Sequence, residues 1–262
     1  MYNFDFVKPE SIDDAVSALA EEDAQALSGG QTLIPTLRQR LAQPTTLVSL
    51  AGIHGMVGVS AADGVLTVGG ATTHAQVARD AAAPFPGLAG LAGRIGDPAV
   101  RNRGTVGGSL ANNDPAACYP AGALGTGATI VTNTREIAAD DYFRGMFETA
   151  LAEGEIITAV RFPIADVASY AKFVQPASRF ALTGVFVAKY SRGVRVAVTG
   201  ASEEGVFRWR EAEAALSTDF APAAVAGLSV PAEGMIGDIH GTPEYRAHLV
   251  KVMTKRAVAA AS

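Results

Sequence analysis

The stretch Ile95-Gly-Asp-Pro-Ala-Val-Arg-Asn-Arg-Gly-Thr-Val-Gly-Gly-Ser-Leu-Ala-Asn-Asn-Asp-Pro-Ala-Ala117 decides how this chain is read. It holds four glycines, two prolines and three asparagines. With no long apolar run, it does not read as an ordinary helix or strand. Its glycines permit positive φ and leave no Cβ in the way of a neighbour. Backbone N–H groups in such turns converge on anions. A single Gly-Gly pair would read as a connector. A second one, Ser28-Gly29-Gly30-Gln31-Thr32, follows an apolar run and precedes a helical pattern at Leu33, Ile34 and Leu37. Strand, glycine turn, helix is an order that points free N–H groups and the helix dipole at the turn, which suits a phosphate. Two such turns favour one extended phosphate-bearing ligand lying between them.

Outward from these turns, the chain reads as two units. Tyr2, Phe4 and Phe6 alternate as a short strand, and Pro9 ends it. Ser11 is a good N-cap for a helix that places Ile12, Ala15, Val16 and Leu19 on one face. Residues 24–27 read as a buried strand, and 46–50 as another. Residues 56–59 and 65–69 read as a hairpin across Ala62-Asp63-Gly64. Thr72 or Thr73 caps a short helix, and a small-residue helix covers 87–94. Asp114-Pro115 has the form of a helix start, with the helix running to about Leu124. Strands follow at 127–131 and 155–162. Past residue 165 the character changes to three β-rich runs, 169–175, 180–190 and 194–200, and then to helices from Trp209 onward. The expectation is a three-stranded antiparallel sheet with helices on one side.

Composition narrows the function. The chain has 262 residues, of which 48% are apolar and 18% charged, as expected for a globular protein of two subdomains or more. A net charge of −5 argues against a nucleic-acid surface. The N-terminus does not read as a signal peptide, and no stretch is apolar enough to span a bilayer. The single cysteine, Cys118, excludes an internal disulfide, and also an iron–sulfur cluster held by this chain alone, since that takes about four thiolates. The expected location is the cytoplasm.

Catalytic patterns are absent. There is no G-x-S-x-G, no Walker A sequence and no H-E-x-x-H. Gly125-Thr126-Gly127 begins like a dinucleotide fingerprint, but Ile130 stands where the third glycine belongs and the segment enters a strand. His54, His74, His240 and His248 read as surface or packing residues. Asp140-Asp141 and Glu203-Glu204 read as solvated faces. Ligand-cradling turns without an acid, base or metal fit a protein whose chemistry belongs to a bound cofactor.

Four segments carry a family likeness: L-S-G-G-Q-T-L-I-P-T-L at 27–37, I-G-D-P-A-V-R-N-R-G-T-V-G-G-S at 95–109, N-D-P-A-A at 113–117 and E-G-E-I-I-T-A-V-R-F-P at 153–163. Together they resemble the FAD-binding medium subunits of molybdenum-containing hydroxylases, the family of the aerobic carbon monoxide dehydrogenase and xanthine dehydrogenase flavoproteins. The resemblance covers almost the whole chain. It implies an α+β fold: a two-subdomain, PCMH-type FAD-binding domain over 1–165 (subdomains about 1–54 and 55–165), then a C-terminal domain over 166–262.

The resemblance also implies a site. Ser28, Gly29, Gly30, Gln31, Thr32 and Leu33, together with Thr105, Val106, Gly107, Gly108 and Ser109, would hold the FAD pyrophosphate. Ile95 would pack on the isoalloxazine, and Ile157 would make a further apolar contact. Lys172 is the candidate for a lysine near the flavin. Arg101 and Arg103 would either offset pyrophosphate charge or pair with Asp97. The sequence departs from the family pattern at Ser28, at Gln31, and at Cys118, where the family often has a FAD-contacting Asp.

The implied activity is an electron relay. A large molybdopterin-binding partner oxidises the substrate, [2Fe-2S] clusters on a small iron–sulfur partner carry electrons to FAD on this chain, and an external acceptor removes them. The implied assembly is a dimer of heterotrimers. Two other readings stay open: a stand-alone FAD-dependent oxidase or reductase, and a flavin-free assembly subunit.

Overall fold

The computed structural model describes residues 1–261, arranged as three larger sheets and one two-stranded sheet with helices between them. The first sheet is parallel, as the alternation of strand and helix demands. It contains β1 (Asp5–Val7), α1 (Ile12–Leu19), β2 (Ala24–Leu27), α2 (Leu33–Arg38) and β3 (Thr46–Ser49), with strand order β1-β3-β2. Ser11 caps α1 by accepting from the Asp14 N–H at 3.1 Å. The central strand β3 has Thr46, Leu47 and Val48 buried. Strand β2, expected to be buried, is instead an edge strand with Gln25 and Ala26 exposed.

The second unit folds around a five-stranded antiparallel sheet. Strands β4 (Val59–Ala62) and β5 (Val65–Gly69) form the hairpin expected across Ala62-Asp63-Gly64, but its first strand begins at Val59, where 56–59 was expected, because His54–Met56 form a short 3-10 turn. Helices α3 (His74–Asp80) and α4 (Pro86–Gly93) follow. The glycine-rich stretch then folds into two short helices, α5 (Pro98–Arg101) and α6 (Val106–Asn112), contrary to the expectation that it would be neither helix nor strand. Side-chain caps make this possible. Asp97 accepts from the Val100 N–H at 2.9 Å, and Thr105 accepts from the Gly108 N–H at 3.2 Å. The helix expected from Asp114 starts five residues later, as α7 (Tyr119–Thr126). Asp114 closes a turn instead: its Oδ1 accepts from the Ala116 N–H at 2.8 Å and its C=O from the Ala117 N–H at 2.9 Å. Then come β6 (Thr129–Thr132), β7 (Glu136–Ala138), α8 (Ala139–Tyr142), β8 (Phe143–Gly145), β9 (Glu148–Thr149) and β10 (Ile157–Pro163). The sheet order is β4-β5-β10-β6-β7, which puts β10 at the centre and buries Ile157, Val160 and Phe162.

The C-terminal sheet has four strands where three were expected: β11 (Val167–Val174), β12 (Ala181–Tyr190), β13 (Gly193–Ser202) and β14 (Gly205–Arg208). The fourth pairs Phe207 with Val198 and Arg208 with Ala197. Helices α9 (Arg210–Thr218) and α10 (Pro243–Ala261) cover one face. Strand β12 shows why its sequence is almost continuously apolar. Val185 and Val187 enter the core beneath α9 and α10, whereas Phe186 and Ala188 enter the core shared with α4, α7 and β10. Both faces are buried, so both sets of alternating residues must be apolar. Phe186 meets Phe85 edge-on, with centroids 6.5 Å apart.

Two ion networks brace the fold, the first between the second unit and the C-terminal sheet and the second within the second unit. Asp140, expected on a solvated face, accepts from Arg195 at 2.7 Å and Arg208 at 3.0 Å. Arg208 also holds the buried Glu213 through two bonds of 2.7 Å. Glu155 accepts from Arg135, Thr132, Thr134 and the Ala152 N–H, at 2.6 to 3.0 Å. The Arg135 guanidinium and these donors, against the cost of burial, hold its carboxyl at about 2, from an ordinary 4.5.

Two measurements follow. Phe186→Ala empties space in the core shared by the second unit and the C-terminal sheet and is expected to cost about 3–5 kcal/mol in urea unfolding; a loss below about 1 kcal/mol would show that the two units do not share a core. The depressed Glu155 pKa contributes stability that is complete above pH 4.5 and is lost as pH falls toward 2. Glu155→Gln is therefore expected to flatten the fall of the unfolding midpoint between those limits, and an unchanged slope would refute the assignment.

Candidate functional site

The two glycine turns, 77 residues apart, abut. Ser28 Oγ and Thr105 Oγ1 are hydrogen-bonded at 2.7 Å. A Cβ on Gly29 would fall on the Arg103 carbonyl oxygen, so the backbones touch where only hydrogen fits. Gly30 has φ of +70°, which turns the chain from β2 into α2. The segment 104–107 is stapled to the start of α3: the His74 N–H donates to the Gly104 C=O at 2.9 Å, Val106 N–H to Thr72 at 3.2 Å, and Gly107 N–H to Gly70 at 2.8 Å.

A cleft of about 680 Å³ opens along this junction, within the roughly 300–1,000 Å³ of small-molecule sites. Of the residues singled out by sequence, Ser28 to Leu33, Ile95, Thr105, Gly107, Gly108, Ser109, Cys118, Ile157 and Lys172 all line it. Val106 does not; its side chain is buried in the core. Arg101 and Arg103 do not line it either. Arg101 donates to the Ile95 and Gly96 carbonyls at 3.0 Å and so fixes that bend.

The two turns are not equivalent. Around α6 the amides are occupied: Val106 by Thr72, Gly107 by Gly70, Gly108 by the Thr105 hydroxyl and Ser109 by the Thr105 C=O. A Cβ on Gly107 would lie 2.6 Å from the Gly70 oxygen, so this glycine serves packing and not ligand approach. The other turn differs. The N–H groups of Gly29, Gly30, Gln31, Thr32 and Leu33 have no acceptor among the described residues. Five consecutive lining residues with free donors, at the start of α2, make an anion cradle. The donor set fits a diphosphate.

Several lining residues carried no sequence signal for this role. His74 sits under the junction, 5% exposed, with Nδ1 unpartnered. Burial, reinforced by Arg101, pushes its imidazole pKa down to about 4, so the ring is neutral at physiological pH. Its ring lies 5.3 Å from that of Tyr119, whose buried hydroxyl also has no partner among the described residues. The strand–turn–helix order around Thr73 was the only available clue. Ser178, Arg179 and Phe180 reach the cleft from the β11–β12 loop, where local sequence says nothing about proximity. Asp114 and Glu155 also line it, but the first closes its own turn and the second is held by Arg135.

At the β11 end, Lys172 Nζ donates to the carbonyls of Arg94 at 2.6 Å and Arg179 at 2.9 Å and lies 3.6 Å from Cys118 Sγ. Lys172 therefore ties three segments together at the cleft wall. No cluster of His, Cys, Asp and Glu that could hold a metal ion occurs among the described residues.

Residues 2–165 match the family model described as the FAD binding domain in molybdopterin dehydrogenase. The chain is 33% identical to the nicotine 6-hydroxylase medium subunit of Paenarthrobacter nicotinovorans, covering 97% of this chain and 95% of that one. It is 32% identical to the carbon monoxide dehydrogenase medium chain of Afipia carboxidovorans, covering 98% and 96%. Among solved structures, quinoline 2-oxidoreductase from Pseudomonas putida 86 aligns with a TM-score of 0.88 at 29% identity, over 99% of this chain and 97% of that one. The abutting glycine turns, the cleft between them and this full-length likeness lead to one conclusion: the chain belongs to the family of FAD-binding medium subunits of molybdenum hydroxylases.

Proposed function

We propose that this chain binds FAD in the cleft and relays electrons within a multi-subunit molybdenum hydroxylase. The observation that carries the reading is the run of five unoccupied amide donors from Gly29 to Leu33, facing a cleft sized for a small molecule. FAD, when bound, supplies the chemistry: it accepts electrons singly from iron–sulfur clusters and gives them up to an acceptor.

The chain's own residues bind and orient. The 29–33 amides and the dipole of α2 neutralise diphosphate charge without a lysine or arginine. Ser28 and Thr105 hold the two walls at a fixed separation. Ile95, half-buried, and Ile157, buried, offer apolar surface for a flat ring. Lys172 fixes the opposite wall. The neutral His74 places no full charge beneath the junction. The carboxylates that line the cleft, Asp114 and Glu155, are already engaged in their own turn and ion network. This favours relay over a stand-alone oxidase.

In this reading, 1–165 is the FAD-binding unit, with subdomains 1–54 and 55–165, and 166–262 buttresses it. The partners are a large molybdopterin-binding subunit and a small iron–sulfur subunit, assembled as a dimer of heterotrimers in the cytoplasm. No helix among the described residues is long and apolar enough to cross a membrane.

Ser28→Ala breaks the hydroxyl bond between the turns. It is expected to weaken FAD binding by roughly tenfold, matching a loss of about 1 kcal/mol or slightly more; equal affinity in flavin-fluorescence titration would displace FAD from this junction. Cys118→Asp sets a carboxylate beside Lys172 and restores the family's residue. It is expected to tighten FAD binding, and unchanged affinity would remove position 118 from the site.

A further inference from the structure

A second, smaller hollow of about 320 Å³ adjoins the cleft, lined by Arg94, Gly96, Lys172, Val174 and Arg179. Lys172, Arg179 and Gly96 line both spaces, so the hollow continues the cleft at its β11 end. Three of its five lining residues are cations, and none is an acid. In a chain of net charge −5 this is a local reversal of sign.

None of the three cations is in an ion pair among the described residues. Arg94 donates to the Tyr170 C=O at 2.5 Å, and Lys172 donates to two carbonyls. These are neutral acceptors, which hold the cations in place without cancelling their charge. Arg179 sits in a left-handed backbone conformation, with φ of +62°, at the end of the β11–β12 loop, and its guanidinium is exposed. Asp97 feels Arg179 and Arg101, but its carboxylate caps α5. A concave site walled by three cations, none of them held in an ion pair, attracts anions and holds them by charge-assisted bonds.

The site does not duplicate the diphosphate cradle. That cradle is built from backbone N–H groups between β2 and α2, whereas this hollow is built from side chains of β11, its loop and the α4–α5 connection. It lies beside Ile95, the residue placed against the flavin ring. A molecule held there stands next to the part of the cofactor that exchanges electrons.

We propose that Arg94, Lys172 and Arg179 form an anion-binding subsite for the external electron acceptor, which is therefore a small molecule carrying a phosphate, carboxylate or comparable anionic group. This deepens the reading of the chain as a relay and rests on it. The acceptor gains the two electrons released per substrate oxidised by the partner subunit, and its protons come from solvent.

The test uses the FAD-loaded complex, with 2,6-dichlorophenolindophenol as an anionic acceptor and 1,4-benzoquinone as a neutral one. Arg94→Gln, at a residue that lines the hollow but not the cleft, is expected to raise KM for the anionic acceptor roughly tenfold, as loss of one charge-assisted contact of about 1.4 kcal/mol requires. The KM for benzoquinone and both kcat values stay within about twofold. Inorganic pyrophosphate is expected to compete with the anionic acceptor and to bind the loaded wild-type complex in calorimetry, but not the Arg94→Gln variant. Equal KM changes for both acceptors, or no pyrophosphate binding by the loaded wild type, would overturn the subsite. A chain that takes up no FAD would instead overturn the relay reading, so the two failures are distinguishable.

Discussion

The structure depends on a contact that only glycine allows: the backbone of Gly29 rests against the Arg103 carbonyl, with no room for a Cβ between them. That contact brings a β–α turn of the first sheet against a loop of the second unit. The hydroxyl bond from Ser28 to Thr105, at 2.7 Å, fixes the lateral position. Neither interaction is large alone, since a neutral hydrogen bond contributes about 1 kcal/mol net. Their effect is geometric. They set two surfaces from different sheets at a spacing where a cleft remains between them, and the amides on one side are without partners among the described residues.

The remainder of the molecule makes that spacing rigid. The loop at Gly104 to Gly107 is stapled to Gly70, Thr72 and His74, so it moves only with α3 and β5. The central strand β10 carries Ile157 to the cleft and is held in the middle of its sheet. The C-terminal sheet, apolar on both faces along β12, packs one side against the same core and brings Lys172 and Arg179 to the far wall. Close packing of this kind transmits position better than a flexible linker would. A cleft built from three sheets thereby keeps a fixed shape.

Much of this was legible in the sequence, and the reasons differ by element. The first glycine turn was readable from the order strand, Gly-Gly and helix, and the second from its repeat of the Gly-Gly pair in a longer glycine-rich stretch. The hairpin at 59–69 was readable from its Asp-Gly turn. What the sequence hid was decided by distant partners. Strand β14 is too short to show a period, and it exists because β13 offers an edge. The glycine-rich stretch looked irregular because glycine has poor helix propensity; caps from Asp97 and Thr105 and packing against Gly70 override that propensity. Asp114 resembled a helix cap until its side chain was seen to close a turn. Asp140 resembled a surface charge until Arg195 and Arg208 were placed beside it. Arg179 and Phe180 gave no signal, because a loop residue's neighbours across the fold leave no trace in local spacing.

The asymmetry between the two turns carries a further consequence. A ligand diphosphate placed between equal cradles would be held by both walls and would tie them together. Here one wall supplies free amides and the other supplies only shape, because its own donors are satisfied. In the proposed reading, binding charge resides on α2 and its preceding turn, in the three-stranded unit, whereas the apolar residues Ile95 and Ile157 reside in the second unit. A cofactor anchored at one end by backbone dipoles and laid along an already formed wall needs no cationic side chain at its diphosphate. The cations that line the cleft and its adjoining hollow lie outside that turn, on β11, its loop and the segment next to Ile95, where in the proposed reading they are free to meet a molecule that approaches the ring.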